Sequence, residues 1–265
     1  MLRRARITVA YDGSGFHGFA EAEGVRTVLG ELRRVISVVT RHDVELVGAG
    51  RTDAGVHGHG QVISGDLPEQ TDLSELCRRI NRMLGPAIAL RDAEWTADPE
   101  FHARFSATWR RYRYHVLNAP APIPLLATAV WHVPQPLDLW AMQLACDPLI
   151  GEHDFSSFCR RPKVDEGMTP PSMSRRILGA TWSRVEGDVL PGPVDGLLRF
   201  EITANAFCHQ MVRSIVGTLV EVGLGKRRAG DMRTVLLARD RSAAGQVAPP
   251  DGLVLWQVGY GDSPR

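Results

Sequence analysis

The run Arg6-Ile7-Thr8-Val9-Ala10-Tyr11-Asp12 places apolar residues at every second position, the pattern of a half-buried strand over 6–12. Gly13, Gly15 and Gly18 then punctuate a loop. From Val28 the apolar positions Leu32, Val35, Ile36 and Val39 follow helical spacing, and Thr27 just ahead of them is of the residue type that caps helix starts. Residues 43–47 predict a second strand that runs straight into a glycine-rich stretch, and extended structure resumes over 61–64. Asp72, with Glu75 three residues on, opens a second helix through Leu73, Leu76, Ile80, Met83 and Leu84, closed by Gly85-Pro86.

The second half predicts a strand over 110–117, an extended proline-rich crossing, a helix from 138 to about 150 and a turn at Gly151-Glu152-His153-Asp154-Phe155. Residues 160–175 are polar and proline-rich, which predicts a mobile loop. A strand pair about the Pro191-Gly192-Pro193 turn, a helix over 206–222 and a last strand over 253–260 complete the chain. Each half reads as strands interrupted by two helices. The expected fold class is therefore α+β, with an N-terminal lobe over 1–105 and a C-terminal lobe of similar plan over 106–265.

Composition narrows the class. With 265 residues, 44% hydrophobic and 23% charged, the chain is that of a folded globular protein rather than a disordered or fibrous one. The longest stretch without formal charge, 114–137, carries Pro120, Pro122, Pro124, Pro134 and Pro136, so it predicts no membrane-spanning helix. Met1-Leu2-Arg3-Arg4-Ala5-Arg6 leads directly into the first strand without an apolar signal-type segment, and the cytoplasm is the expected compartment. Cys77, Cys146, Cys159 and Cys208 have no chelating spacing and are expected to be reduced thiols.

A net charge of +1 is not that of a general polyanion binder, so any affinity for nucleic acid has to come from local clustering. Only Lys163 and Lys226 among the 31 basic residues are lysines; the rest are arginines. No acid occurs between Glu100 and Asp138, where Arg104, Arg110, Arg111 and Arg113 sit among His102, Phe105, Trp109, Tyr112, Tyr114 and His115. Cations interleaved with aromatics hold phosphates and stack bases; the same pattern also describes a solvated strand face with core aromatics behind it. Alternation puts Arg111 and Arg113 on one face of the strand and Arg110, Tyr112 and Tyr114 on the other.

Candidate chemistry concentrates in residues 48–60, where five glycines surround Arg51, Asp53, His57 and His59. Arg51 and Asp53 are two apart, so in extended geometry both leave the same face. A guanidinium within ~4–6 Å typically lowers a carboxyl pKa by about 1–3 units and keeps it charged. Two readings stand on the residues alone: a charged carboxylate held ready for attack, or a tight turn in which Asp53 accepts backbone N–H groups. His57 and His59 have no third ligand at metal-binding spacing. Gly13 to Gly18 has the G-x-G-x-x-G form, yet no βαβ unit follows it in register.

The run Gly50-Arg51-Thr52-Asp53-Ala54-Gly55-Val56-His57 closely resembles the catalytic motif of the TruA family of tRNA pseudouridine synthases. Five further segments match in the same order: Tyr11-Asp12-Gly13, Phe101-His102-Ala103-Arg104 with Tyr112-Arg113-Tyr114, Gly151 to Phe155, Phe207 to Gly217, and Gly252-Leu253. The resemblance implies a pseudouridine synthase fold, two α+β lobes around a continuous, mainly antiparallel sheet, in an enzyme that isomerises uridine in the tRNA anticodon stem-loop at positions 38 to 40. It also implies a homodimer working without cofactor or metal. By the same resemblance Asp53 is the catalytic carboxylate, with Arg51 beside it, Tyr112 packs on the target base and Leu253 lines its pocket. For the RNA backbone the expected contacts are Arg110, Arg111 or Arg113 on the strand, with Arg160 and Arg161 in the loop. One departure is Phe19-Ala20, where the family usually has Trp-Gln; Glu21 and Glu23 follow it. An RNA-binding protein without isomerase activity and a glycosidase are the other classes considered; the second would need a further catalytic acid.

Overall fold

The computed structural model describes residues 1–161, 171–190 and 192–262. In chain order the first elements are β1 (Leu2–Tyr11), α1 (Val28–Thr40), β2 (Leu46–Gly48), β3 (His57–Pro68), α2 (Leu73–Leu84) and β4 (Ile88–Trp95). They are followed by β5 (Trp109–Leu117), β6 (Trp131–His132), α3 (Leu139–Leu144), β7 (Gly151–Asp154), β8 (Ser174–Arg184) and β9 (Asp188–Leu190). The last are β10 (Gly192–Pro193), β11 (Leu197–Ala204), α4 (Met211–Gly223), α5 (Asp231–Ala238) and β12 (Leu253–Gly259). The fold is α+β, with mixed, mostly antiparallel sheet and five α-helices among the described residues. None of these helices is long and apolar enough to cross a membrane. The chain divides into two compact units, residues 1–110 with 254–265, and residues 111–253.

In the first unit the strands run β4-β1-β3-β12, with β2 also on β3. β1 lies antiparallel to β3 with Ile7 opposite Ile63, and β12 joins β3 in parallel with Val254 opposite His57. Alternation along β1 sends Ala5, Ile7, Val9 and Tyr11 into a core that also takes Leu32, Val35 and Ile36 of α1 and Leu76 and Ile80 of α2. Both helices begin where the sequence predicts: Thr27 Oγ1 accepts the Gly30 N–H, and Asp72 accepts the N–H groups of Ser74 and Glu75. Those bonds satisfy backbone donors that a helix start leaves open.

In the second unit β5, β11, β8 and β7 lie in that order and β6 pairs with β5 in parallel. Several expectations are corrected here. The helix expected over 138–150 stops at Leu144, because Pro148 has no N–H for the carbonyl one turn earlier; a 3-10 turn replaces it over Asp147–Leu149. Gly151–Asp154, expected as a turn, is strand β7, paired antiparallel with β8. The helix expected from 206 begins at Met211, after Gln210 takes a left-handed conformation (φ 62°). α5 makes a third helix where two were expected. Most of the expected loop over 160–175, at 162–170, lies outside the described residues, as does Pro191; β9 and β10 on either side of it pair as a small ribbon.

Candidate active site

Arg51 and Asp53 lie on the connection from β2 to β3, an antiparallel pair in register at Gly48 and Ile63. The Ala49 N–H donates to the Val62 carbonyl (2.8 Å) and Gln61 Nε2 donates to the Gly50 carbonyl (2.8 Å), which fixes the base of the connection. Beyond it Arg51 is exposed, Thr52 buried and Asp53 half-buried. The Thr52 hydroxyl lies 2.9 Å from that of Tyr11 in β1. The Asp53 carbonyl then accepts the Val56 N–H (3.1 Å), closing a tight turn with Gly55 at φ 81°. Glycine takes that conformation without steric cost, which accounts for its place in the motif.

Neighbouring chain closes around this connection. The Phe19 N–H donates to the Thr52 carbonyl (3.1 Å) and the Gly13 N–H donates to His57 Nδ1 (3.0 Å). The Asp12 carboxylate lies 3.2 Å from the same nitrogen. Phe19, the departure from the family pattern, is buried against the Tyr11 ring (5.8 Å), whereas Glu21 and Glu23 are exposed. A Cβ at Gly58 would strike the Tyr11 ring, so the close approach glycine permits here is made by the protein's own side chain. His59 stacks on Trp256 at 4.0 Å and faces Arg91. Among the described residues no three of His, Cys, Asp and Glu gather as ligands for a metal ion.

Arg110 belongs to the same unit. Its guanidinium donates to three carbonyls, those of Ala49 (3.1 Å), Arg104 (2.7 Å) and Ala107 (3.0 Å). It thus binds the connection carrying Arg51 and Asp53 to the turn before β5. The sequence marks Arg110 as a cation but carries no sign that it faces main chain.

The second unit holds Tyr112, Leu253, Arg111 and Arg113. Tyr112 is buried, its ring meeting Phe207 edge-on at 5.0 Å. Leu253 is also buried, its N–H donating to the Pro250 carbonyl in a turn tied to β5. Tyr114 donates to the Pro249 carbonyl (2.8 Å) and the His115 N–H to that of Gly252 (2.9 Å). Arg113 Nε donates to Glu201 (2.7 Å) and Arg111 Nε to Thr203 (3.1 Å), with Glu201 3.6 Å away; all of these partners are on β11. Both arginines share one strand face, as alternation predicts. Arg160 and Arg161 are exposed; the Arg160 N–H donates to the His209 carbonyl and Arg161 Nη2 to that of Arg239.

Comparison with known proteins bears on this arrangement. A family model described as tRNA pseudouridine synthase matches residues 145–261. The tRNA pseudouridine synthase A of Brevibacillus brevis is 38% identical over 259 residues, covering 98% of this chain and 100% of that protein. The chain belongs to the tRNA pseudouridine synthase A family. The family members of Frankia casuarinae and of a Caulobacter species are 41% and 40% identical, covering 100% and 98% of this chain and 92% and 98% of their own lengths. A tRNA pseudouridine synthase A is thus matched across both units, including the connection with Arg51 and Asp53 that the narrower family model leaves out.

Proposed function

We propose that the protein isomerises uridine to pseudouridine in the anticodon stem-loop of tRNA, at positions 38 to 40, with Asp53 as the reacting carboxylate. The observation that carries the reading is the setting of Asp53: a half-buried carboxylate on a short turn whose preceding residue is pinned inward, within a run that resembles the family's catalytic motif. The reaction breaks the bond from N1 of the base to C1′ of the ribose and joins C5 to C1′ instead, with the proton on C5 lost and one taken up at N1. Atoms and oxidation state balance within one nucleotide, so the proposed reaction calls on no redox cofactor or energy source. Lifting the uridine from its stack costs a few kcal/mol. Tyr112 offsets part of that by stacking on the base at about 1–3 kcal/mol. Arg51 fills the vacated space in the stem, Leu253 lines the base pocket, and Arg111 or Arg113 of β5, with Arg160 and Arg161, meets the RNA backbone. The protein works as a homodimer in the cytoplasm.

The test is Asp53→Asn, assayed by mapping pseudouridine in unmodified tRNA. The amide keeps the shape and loses the charge, so turnover should fall at least about a hundredfold, equivalent to ~2.7 kcal/mol of barrier, while tRNA affinity stays within a few-fold. A variant retaining more activity than that removes Asp53 from the reaction. Modification outside positions 38 to 40 would overturn the specificity, and a monomer in sedimentation would overturn the dimer.

A further inference from the structure

Phe105 stands 76% exposed on the turn that leads into β5. The main chain beneath it is held at many points. His102 Nδ1 accepts the N–H groups of Arg104 and Phe105 (3.2 Å each), and Ser106 Oγ accepts the His102 N–H (3.0 Å). The Ala103 N–H donates to Ser64 Oγ (3.0 Å) and Tyr260 donates to the Ala103 carbonyl (2.8 Å). Arg110 closes the set through the carbonyls of Arg104 and Ala107. The exposed ring is therefore carried on a fixed support.

Its surroundings are those of an RNA contact. The Arg104 guanidinium lies 5.4 Å from the ring centroid and the His102 imidazole 4.4 Å from it, tilted by 32°. No acidic residue occurs between Glu100 and Asp138. Arg110 also holds the Ala49 carbonyl, so this turn is tied directly to the connection bearing Arg51 and Asp53. A lone exposed apolar side chain needs no explanation. A rigid one, flanked by a guanidinium and an imidazole on a turn that Arg110 ties to the connection carrying Asp53, has the make-up of a base-stacking platform.

We propose that Phe105, with Arg104 beside it, stacks a nucleobase of the RNA near the reacting uridine, without regard to which base it is. This rests on the proposed tRNA activity for its ligand class. Cations at the edge of the ring match a polyanion, whereas a protein partner or second copy would call for a wider apolar patch.

The experiment measures Kd for an unmodified anticodon stem-loop RNA over a series of salt concentrations, for the wild type and for Phe105→Ala, Phe105→Leu and Phe105→Trp. Binding is read directly and independently of isomerisation. Alanine should weaken binding about five- to a hundredfold with an unchanged slope of log K against log salt, since the ring meets no phosphate. Tryptophan should keep wild-type affinity, and leucine should stay weak because it has bulk without a π face. Because the ring is exposed, all three variants should melt with the wild type. Alanine within twofold of wild type, or leucine restoring full affinity, overturns the proposal; so does a shift from dimer to monomer at unchanged affinity, which would assign the ring to a contact between copies. Absence of isomerisation in the wild type with the Phe105 contrast intact would remove the proposed reaction and leave the platform standing.

Discussion

The hydroxyls of Tyr11 and Thr52 meet at 2.9 Å inside the first unit, and this contact sets which way the candidate loop faces. With Thr52 turned inward, Arg51 on one side of it is exposed and Asp53 on the other is half-buried. Burial pushes the Tyr11 phenol above its ordinary range, so the hydroxyl stays protonated well into alkaline solution. Tyr11→Phe should leave the Thr52 hydroxyl unsatisfied at a cost of about 1–2 kcal/mol. Urea unfolding reads that cost. Single-turnover kinetics should show kcat falling with KM for tRNA little changed, and an unaffected kcat would remove Tyr11 from the positioning of Asp53.

Gly13 and Gly15 sit in one 3-10 turn and should respond oppositely to alanine. A Cβ on Gly13 would collide with the Val56 carbonyl, main chain that cannot swing aside, whereas one on Gly15 meets nothing within 4 Å. Gly13→Ala should destabilise by about 1–3 kcal/mol and lower activity, because Val56 closes the Asp53 turn. Gly15→Ala should match the wild type in thermal melts and assays.

The arginines should separate by salt dependence. Arg160 and Arg161 are exposed, and replacing both with alanine should flatten the slope of log K against log salt by roughly 0.7 to 0.9 per lost phosphate contact. Arg110→Ala should instead lower stability and turnover with the slope unchanged, since its guanidinium serves three carbonyls. Titrating tRNA binding at several salt concentrations distinguishes the two patterns. An unchanged slope for the double variant would take 160–161 off the binding surface.

Stability should fall in acid through identifiable carboxylates. For Asp154 burial acts upward, but the Ser156 hydroxyl and N–H, with Arg239 and Arg161, hold the carboxyl below its usual 3.8. For Glu31 the hydrogen bond from Arg34 leads the lowering. A carboxyl lowered by folding stabilises fully above its unfolded value and loses that contribution as pH falls through its folded value. Asp154→Asn should therefore unfold at lower urea than the wild type at pH 7, with the gap closing as pH falls through the carboxyl's lowered folded value. A gap that stays constant with pH would show that the carboxylate charge is not what stabilises this corner.

Local chemistry is what the sequence expresses most clearly. The caps of α1 and α2 are legible because the capping oxygen and the N–H it accepts lie two or three residues apart. Tyr112 and Arg113 alternate across β5 for the same reason, since a strand's two faces are set by the pleat. β4 is less legible: its register against β1 shifts between Thr8 and Val9, and its exposed half loses the strict alternation. β7, Gly-Glu-His-Asp, contains no strand-forming residue and is extended because β8 supplies its partner. α5 turns only Met232, Val235 and Leu236 inward, too thin a stripe to stand out. At the candidate site the motif residues are legible, whereas nothing in the sequence shows that the Arg110 guanidinium serves the carbonyls of Ala49, Arg104 and Ala107.

The first unit is discontinuous: it takes residues 1–110, gives up the chain for 111–253, and recovers it at Val254. Its strand β12 lies in parallel against His57 and Gly58, immediately past the turn that holds Asp53. During synthesis on a ribosome, that flank of the carboxylate's support stays bare through the whole translation of the second unit. A nascent chain released before residue 254 would own every residue of the Gly50 to His57 motif and still lack the strand that braces it, so maturation of this site is timed by the last stretch of β-sheet to emerge.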